Sequence, residues 1–186
     1  VLGEYDDSRP EVVAQHLGWS RQANIQLWIC SWWGPGFRED TTISNVIMKH
    51  PDLGDHKIAL LYESTSRVRG SEGYTTQRVG PDMEYICQTY FKNPNYHRID
   101  GRPVIFLYLS RALDGKGVLG DLTRIMRDTA RKVCNTEIYI IGDQVWGNAP
   151  NPKDNYPPFK YLDALTNYDL YGNTNHAPYA TQGTVD

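Results

Sequence analysis

Glu63, Asp143 and Asp169 each close a short apolar run. Trp32, Trp33 and Trp146, with Tyr62, Tyr108, Tyr168 and Tyr171, stand at the same kind of exit. Carboxyl groups combined with aromatic planes are what glycosidic bond cleavage needs. One group protonates the leaving oxygen, another acts across the bond, and rings hold the sugar through a cationic transition state. Each Asp also has a bland reading as a loop or helix cap, and for Asp169 that reading weighs at least as much as catalysis. Glu63 is different, because Glu is a poor cap and a poor β-former, and burying it costs free energy unless it is paired or used. Glu63 is therefore the first candidate for a catalytic carboxylate and Asp143 the second. Trp32, Trp33, Tyr62, Arg67, Tyr108, Trp146, Tyr168 and Tyr171 are candidates for substrate binding.

The stretch from Asn24 to Asp40 organises the rest. Ile25 to Cys30 is an almost wholly apolar run that reads as a strand buried on both faces. Ser31, Trp32 and Trp33 follow, and Gly34-Pro35-Gly36 then forbids continuation, so two indoles are set at the carboxyl end of a strand. In parallel α/β folds that is where ligands bind.

The elements that must carry these residues repeat. Ser8-Arg9-Pro10-Glu11 is a capping-box pattern that predicts a helix to about Gln22. Asp40, Thr41 or Thr42 can cap a helix carrying Ile43, Val46 and Ile47, and Lys57 to Glu63 is a second buried strand. Ser64 to Gly80 reads as a polar loop, either a lid or an insertion, before a helix opened by Pro81. An Asp100-Gly101 turn leads to a strand over Pro103 to Leu109, then a helix from about Val118 to Val133 and a strand over Glu137 to Asp143. A Pro-rich loop, Asn148 to Pro158, precedes a fifth strand near Leu162 to Tyr168. This is an α/β succession of βα units. A barrel and an open doubly wound sheet both fit, and the ring of carboxylates and indoles at the strand exits favours the barrel.

The expected architecture is thus a (β/α)8 TIM-type barrel, incomplete here, with residues 1–186 as one partial domain of about five βα units. Eight strands at this spacing need on the order of 250 residues or more. The expectation is one strand before Val1 and two after Asp186, supplied by the rest of its own barrel or by another subunit.

Composition narrows the partners. The chain has 186 residues, 40% hydrophobic and 22% charged, with 19 basic against 22 acidic residues for a net charge of −3. No basic run suits nucleic acid or an anionic membrane, and no apolar run approaches the roughly 20 residues of a membrane span. Val1 to Tyr5 has neither the charged and apolar regions of a signal peptide nor an initiating Met. Cys30, Cys87 and Cys134 are far apart in sequence and sit in apolar patterns, which suits buried reduced thiols better than a disulfide framework. Neither His-Glu-x-x-His nor Cys-x-x-Cys occurs, so no metal or other cofactor is expected. Gly115-x-Gly117-x-x-Gly120 has dinucleotide-binding spacing but stands five residues beyond its strand, and leaves a nucleotide-binding open sheet as a minor alternative.

Four stretches together resemble glycoside hydrolase family 99 and its relatives, which include endo-α-mannosidases. They are Tyr5-Asp6-Asp7-Ser8-Arg9-Pro10-Glu11-Val12-Val13, Ser31-Trp32-Trp33-Gly34-Pro35-Gly36, Leu61-Tyr62-Glu63, and His97-Arg98-Ile99-Asp100-Gly101-Arg102-Pro103-Val104-Ile105-Phe106. The double-Trp turn and the Asp-Gly-Arg-Pro-Val strand entry are the most specific pieces. The resemblance implies a (β/α)8 barrel that cleaves α-mannosides without a metal, in the secretory pathway or outside the cell. It also implies that Glu63 is a carboxylate acting as base on the sugar's own 2-hydroxyl. In the family's motif a second Glu, the acid/base, follows three residues later, and here Ser66 stands there, with Ser64-Thr65 in place of Pro-Tyr. Either Glu72, Asp143 or Asp169 has taken over proton donation, or the chain is a non-catalytic glycan-binding or structural protein on a glycosidase scaffold.

Overall fold

The computed structural model describes residues 3–71, 73–144 and 160–167, so Glu72, Trp146, Tyr168, Asp169, Tyr171 and the Asn148 to Pro158 stretch lie outside the described residues. Helix α1 (Pro10–Gln22) turns Val12, Val13, Leu17 and Ser20 inward, at the spacing of one helical face. It is not capped by Ser8. The cap position is Arg9 and makes no side-chain cap bond, because the Ser8 amide and hydroxyl both donate to Asp6 Oδ1, at 3.0 and 2.6 Å.

Strand β1 (Leu27–Trp32) starts two residues later than the apolar run and lies at the edge of the sheet among the described residues; it is not buried on both faces, and Ile29 is 47% exposed. On its covered side the Trp28 indole donates to Ser20 Oγ of α1 at 2.9 Å. Helix α2 (Arg38–Thr42) begins ahead of all three expected caps, with Phe37 as cap residue, and runs on as a π turn over Ile43–Ile47. Strand β2 (Lys57–Tyr62) is almost completely buried. The polar stretch after it is largely structured. It contains α3 (Ser64–Arg67) and a ribbon of β3 (Arg69–Gly70) with β4 (Gly73–Tyr74), and α4 (Val79–Thr89) starts two residues before Pro81.

β5 (Arg98–Ile99) and β6 (Arg102–Leu107) form a hairpin across Asp100-Gly101, whose φ angles of 51° and 75° are those a two-residue turn demands. α5 (Ser110–Gly115) takes in Asp114-Gly115, and the reversal falls at Gly117, φ 69°, before α6 (Leu119–Cys134). The Gly-rich spacing therefore joins two helices and is no strand-to-helix phosphate loop. Gly120 serves packing instead, since a Cβ there would meet the Tyr161 ring at 3.0 Å. β7 (Tyr139–Asp143) and β8 (Ala164–Thr166) complete the described strands.

The sheet order is β1-β2-β6-β7-β8, all parallel, with β5 antiparallel on β6. Each βα strand lies beside the next one in the chain. The larger apolar cluster joins one sheet face, Trp32, Leu60, Tyr62 and Leu107, to residues of α1, α4, α5 and α6. The other face holds a cluster of strand residues alone, Ala59, Leu61, Val104 and Phe106. A doubly wound sheet would reverse its strand order and carry helices on both faces. The chain is instead a singly wound α/β arc, open among the described residues.

Asp163 clamps the amino ends of the strands. Its carboxylate accepts from Arg102 at 2.8 Å, Arg127 at 2.7 Å and the Ile140 amide at 2.9 Å. Burial works to raise this carboxyl, but those bonds outweigh it and hold it below its ordinary value. Arg102 also lies over the Tyr139 ring, 4.5 Å from its centroid, which accounts for an Arg at the strand entry.

Candidate active site

The parallel register sets the site. Tyr62 pairs with Leu107, and Leu107 with Gly142, so the next residues, Glu63, Tyr108 and Asp143, stand level at the carboxyl edge of three adjacent strands. Trp33 follows Trp32, the partner of Tyr62, and joins the same row. The ladder reaches this level, since the Glu63 amide donates to the Trp32 carbonyl at 3.1 Å and the Tyr108 amide to the Tyr62 carbonyl at 3.2 Å. Because side chains alternate along a strand, Glu63, Tyr108 and Asp143 share the helix-free face with Leu61, Phe106 and Ile141 two residues earlier.

Glu63 is 6% exposed and Asp143 1%. Burial pushes the Glu63 carboxyl up, a hydrogen bond from Ser31 opposes this, and the Asp143 charge pushes it up again. The two carboxyls therefore feel each other although β6 separates their strands, a backbone separation of about 10 Å. Two neighbouring carboxyls at one strand edge can divide base and acid roles. Ser31, two residues before Trp33, was not singled out from the sequence, because only the register with β2 brings it to Glu63. Between Tyr108 and Ser110, Leu109 holds a left-handed φ of 57°, a conformation that costs a non-glycine residue about 1–2 kcal/mol. The Ser110 hydroxyl, completely buried, donates to the Asp143 carbonyl at 2.9 Å.

Three residues expected to bind substrate are placed elsewhere. Trp32 and Tyr62 have no exposed surface; their rings stack at 5.8 Å on the helix side of the sheet, one residue out of phase with Glu63. The Trp32 indole donates to Asp40 at 2.8 Å and the Tyr62 hydroxyl to Asp82 at 2.7 Å. The Arg67 guanidinium is committed to Asp82 through two bonds, at 2.8 and 2.5 Å. Trp33 and Tyr108 are half-buried, in the row with Glu63. Trp146, Tyr168 and Tyr171 lie outside the described residues.

The Gly-Pro-Gly turn is held by the buried Asp40, read from the sequence only as a cap. Asp40 accepts from Trp32, from the Gly36 amide at 2.8 Å, from Tyr85 at 2.7 Å and from Tyr90. Gly34, φ 133°, lies so close to Arg67 that a Cβ would meet its Nη1 at 2.7 Å. Ser66, at the place of the family's acid/base, donates to the carbonyls of Trp33 and Glu63 at 3.3 and 3.4 Å and so ties two strand exits together. Among the described residues no group of three or more His, Cys, Asp and Glu could hold a metal, and no helix is long and apolar enough to cross a membrane.

No protein-family model matches the chain, and no curated protein is significantly similar to it in sequence. Solved structures are similar in shape. The GH99 endo-alpha-mannosidase of Bacteroides thetaiotaomicron, in complex with bis-tris-propane, matches at a TM-score of 0.65 and 20% identity, over 91% of this chain and 49% of that one. Another structure of the GH99 endo-alpha-mannosidase from Bacteroides thetaiotaomicron matches at 0.61 and 19%, over 90% of this chain and 46% of that one. A glycoside hydrolase-like protein matches at 0.60 and 20%, over 90% and 52%. The chain thus spans about half the length of these proteins. At such identities the likeness is one of fold: the chain has a TIM-barrel-type α/β scaffold, without a closed barrel among the described residues.

Proposed function

We propose that this chain forms part of a (β/α)8 barrel that hydrolyses an α-mannoside oligosaccharide or polysaccharide, with Glu63 and Asp143 as its acid/base carboxyls. The observation that carries the reading is the pair itself: two buried carboxyls at strand exits, level in register and coupled in charge. Their backbone spacing leaves room for carboxyl groups at the roughly 5 to 10 Å of glycosidase pairs. In this reading Glu63, its proton affinity raised by burial, takes the proton of the sugar's 2-hydroxyl. Asp143 is the partner carboxyl on the side of the departing oxygen, and Trp33 and Tyr108 bear on the sugar face.

Ser66 favours a second reading, a glycan-binding or structural protein without turnover, because its hydroxyl is occupied by backbone carbonyls where the family has an acid/base Glu. One experiment separates the two. The protein is incubated with α-manno-oligosaccharides, products are followed by chromatography, and binding is followed by calorimetry. Shortened products support hydrolysis, binding without products supports the second reading, and neither removes α-mannosides as the ligand.

A further inference from the structure

Helices α4 and α6, packed against each other behind the sheet, bring together two cysteines that are far apart in the chain. Cys87, in the last turn of α4, is completely buried; Cys134, the last residue of α6, is half-buried. The two thiols are close enough for Cys134 to raise the proton affinity of Cys87. Both line one groove of about 690 Å³, together with Gln88, Lys92, Arg98 and Thr136. Cys30 belongs to β1 and has no part in this groove. All three are free thiols, as expected, but of the three only Cys87 is fully buried, and the distance between Cys87 and Cys134 in sequence is not a distance in space.

We propose that Cys87 and Cys134 are a redox-active dithiol, which forms a reversible disulfide by exchange with small anionic disulfides of the glutathione type that enter this groove. Cys134 is the more exposed of the two residues, and Lys92 and Arg98 give the groove the charge that attracts carboxylates. In the first step the Cys134 thiolate attacks the small disulfide. An S–S bond forms between Cys134 and one half, the original bond breaks, and the other half leaves as a thiolate. In the second step the Cys87 sulfur attacks the Cys134 sulfur of this mixed disulfide. The remaining half departs and takes up the Cys87 proton. One protein dithiol and one small disulfide become one protein disulfide and two small thiols.

The order of events follows from burial. Burial first, and then the Cys134 neighbour, push the Cys87 thiol well above its ordinary value, so it stays protonated and out of reach until the mixed disulfide is beside it. The cross-link would join α4, which carries Asp82, to α6, and by closing a long loop would raise the melting temperature by several degrees. The proposal does not depend on the glycosidase reading, because the groove lies in the helix layer, away from the Glu63 row.

The test incubates the folded wild-type protein with excess glutathione disulfide, quenches in acid, alkylates, and maps peptides by mass spectrometry. The expected result is a linked Cys87–Cys134 peptide that dithiothreitol reverses, with Cys30 alkylated as a free thiol. Cys87→Ala should retain one glutathione on Cys134, whereas Cys134→Ala should retain none. The wild-type map stands even where a variant fails to fold. Recovery of both Cys87 and Cys134 as alkylated thiols from the wild type, or glutathione on Cys30 instead, overturns the proposal.

Discussion

Glu63 is a carboxylate whose surroundings work against its charge, and the sign of that effect yields two predictions. A base must be deprotonated, so activity falls as pH drops through the Glu63 pKa. The Ser31 hydrogen bond favours the charged form, and its loss in Ser31→Ala raises that pKa further. The acid limb of the kcat/KM profile should therefore move to higher pH, by up to about one pH unit. An unmoved limb would separate Ser31 from the base. The second prediction concerns stability. A carboxyl whose folded pKa is raised above its ordinary 4.5 contributes stability below that value and loses it as pH rises through the folded pKa. Glu63→Gln should thus melt no lower than wild type at pH 7 and gain less on acidification. A lower melting temperature at pH 7 would mark Glu63 as a structural residue.

Between elements, two buried aspartates join what the sheet alone leaves apart. Asp40 links the end of β1 and the Gly-Pro-Gly turn to Tyr85 and Tyr90 of the α4 region, and Asp82 of α4 links Tyr62 of β2 to Arg67 of α3. Asp40→Ala leaves four donors without their acceptor and should cost about 3–5 kcal/mol, read from the urea midpoint. A loss under 1 kcal/mol would mean that the turn holds itself. At β7, Gly142→Ala places a Cβ 2.4 Å from Leu162 Cδ1 and 2.6 Å from Ser110 Oγ. It should destabilise by about 1–3 kcal/mol and disturb the neighbouring Asp143.

The strands, the Asp100-Gly101 hairpin and Glu63 at a strand exit were legible because each rests on a local pattern. The Asp40 and Asp82 roles were not, since their partners lie up to 50 residues away and Asp40 looks locally like a cap. Ser8 misled for the opposite reason: its local bond to Asp6 competes with the cap that its spacing allowed. Trp32 looked like a ligand platform until strand phase turned it, with Tyr62, toward the helices. Cys87 and Cys134 lacked a motif because helix packing alone brings them together.

At the scale of the molecule, sequential strand order, helices on one face and a carboxylate row on the other make this an open α/β arc, similar in fold to part of the GH99 endo-alpha-mannosidase structures. Its outer strand leaves Ile29 47% exposed, with Ile25 at 49% and Trp19 at 42% nearby. An edge of this kind pairs with other strands. The 186-residue chain by itself should associate with increasing concentration in sedimentation runs, and Ile29→Lys should reduce that association. A monomer at all concentrations would show that the edge is already protected.

The most direct test of the carboxylate row is turnover of an α-manno-oligosaccharide by wild-type protein and by Glu63→Gln, with folding checked by circular dichroism. The variant keeps the side chain's size and removes its charge, so kcat should fall by on the order of a thousandfold or more while the spectrum is unchanged. A folded Glu63→Gln protein that retains wild-type turnover would contradict the assignment.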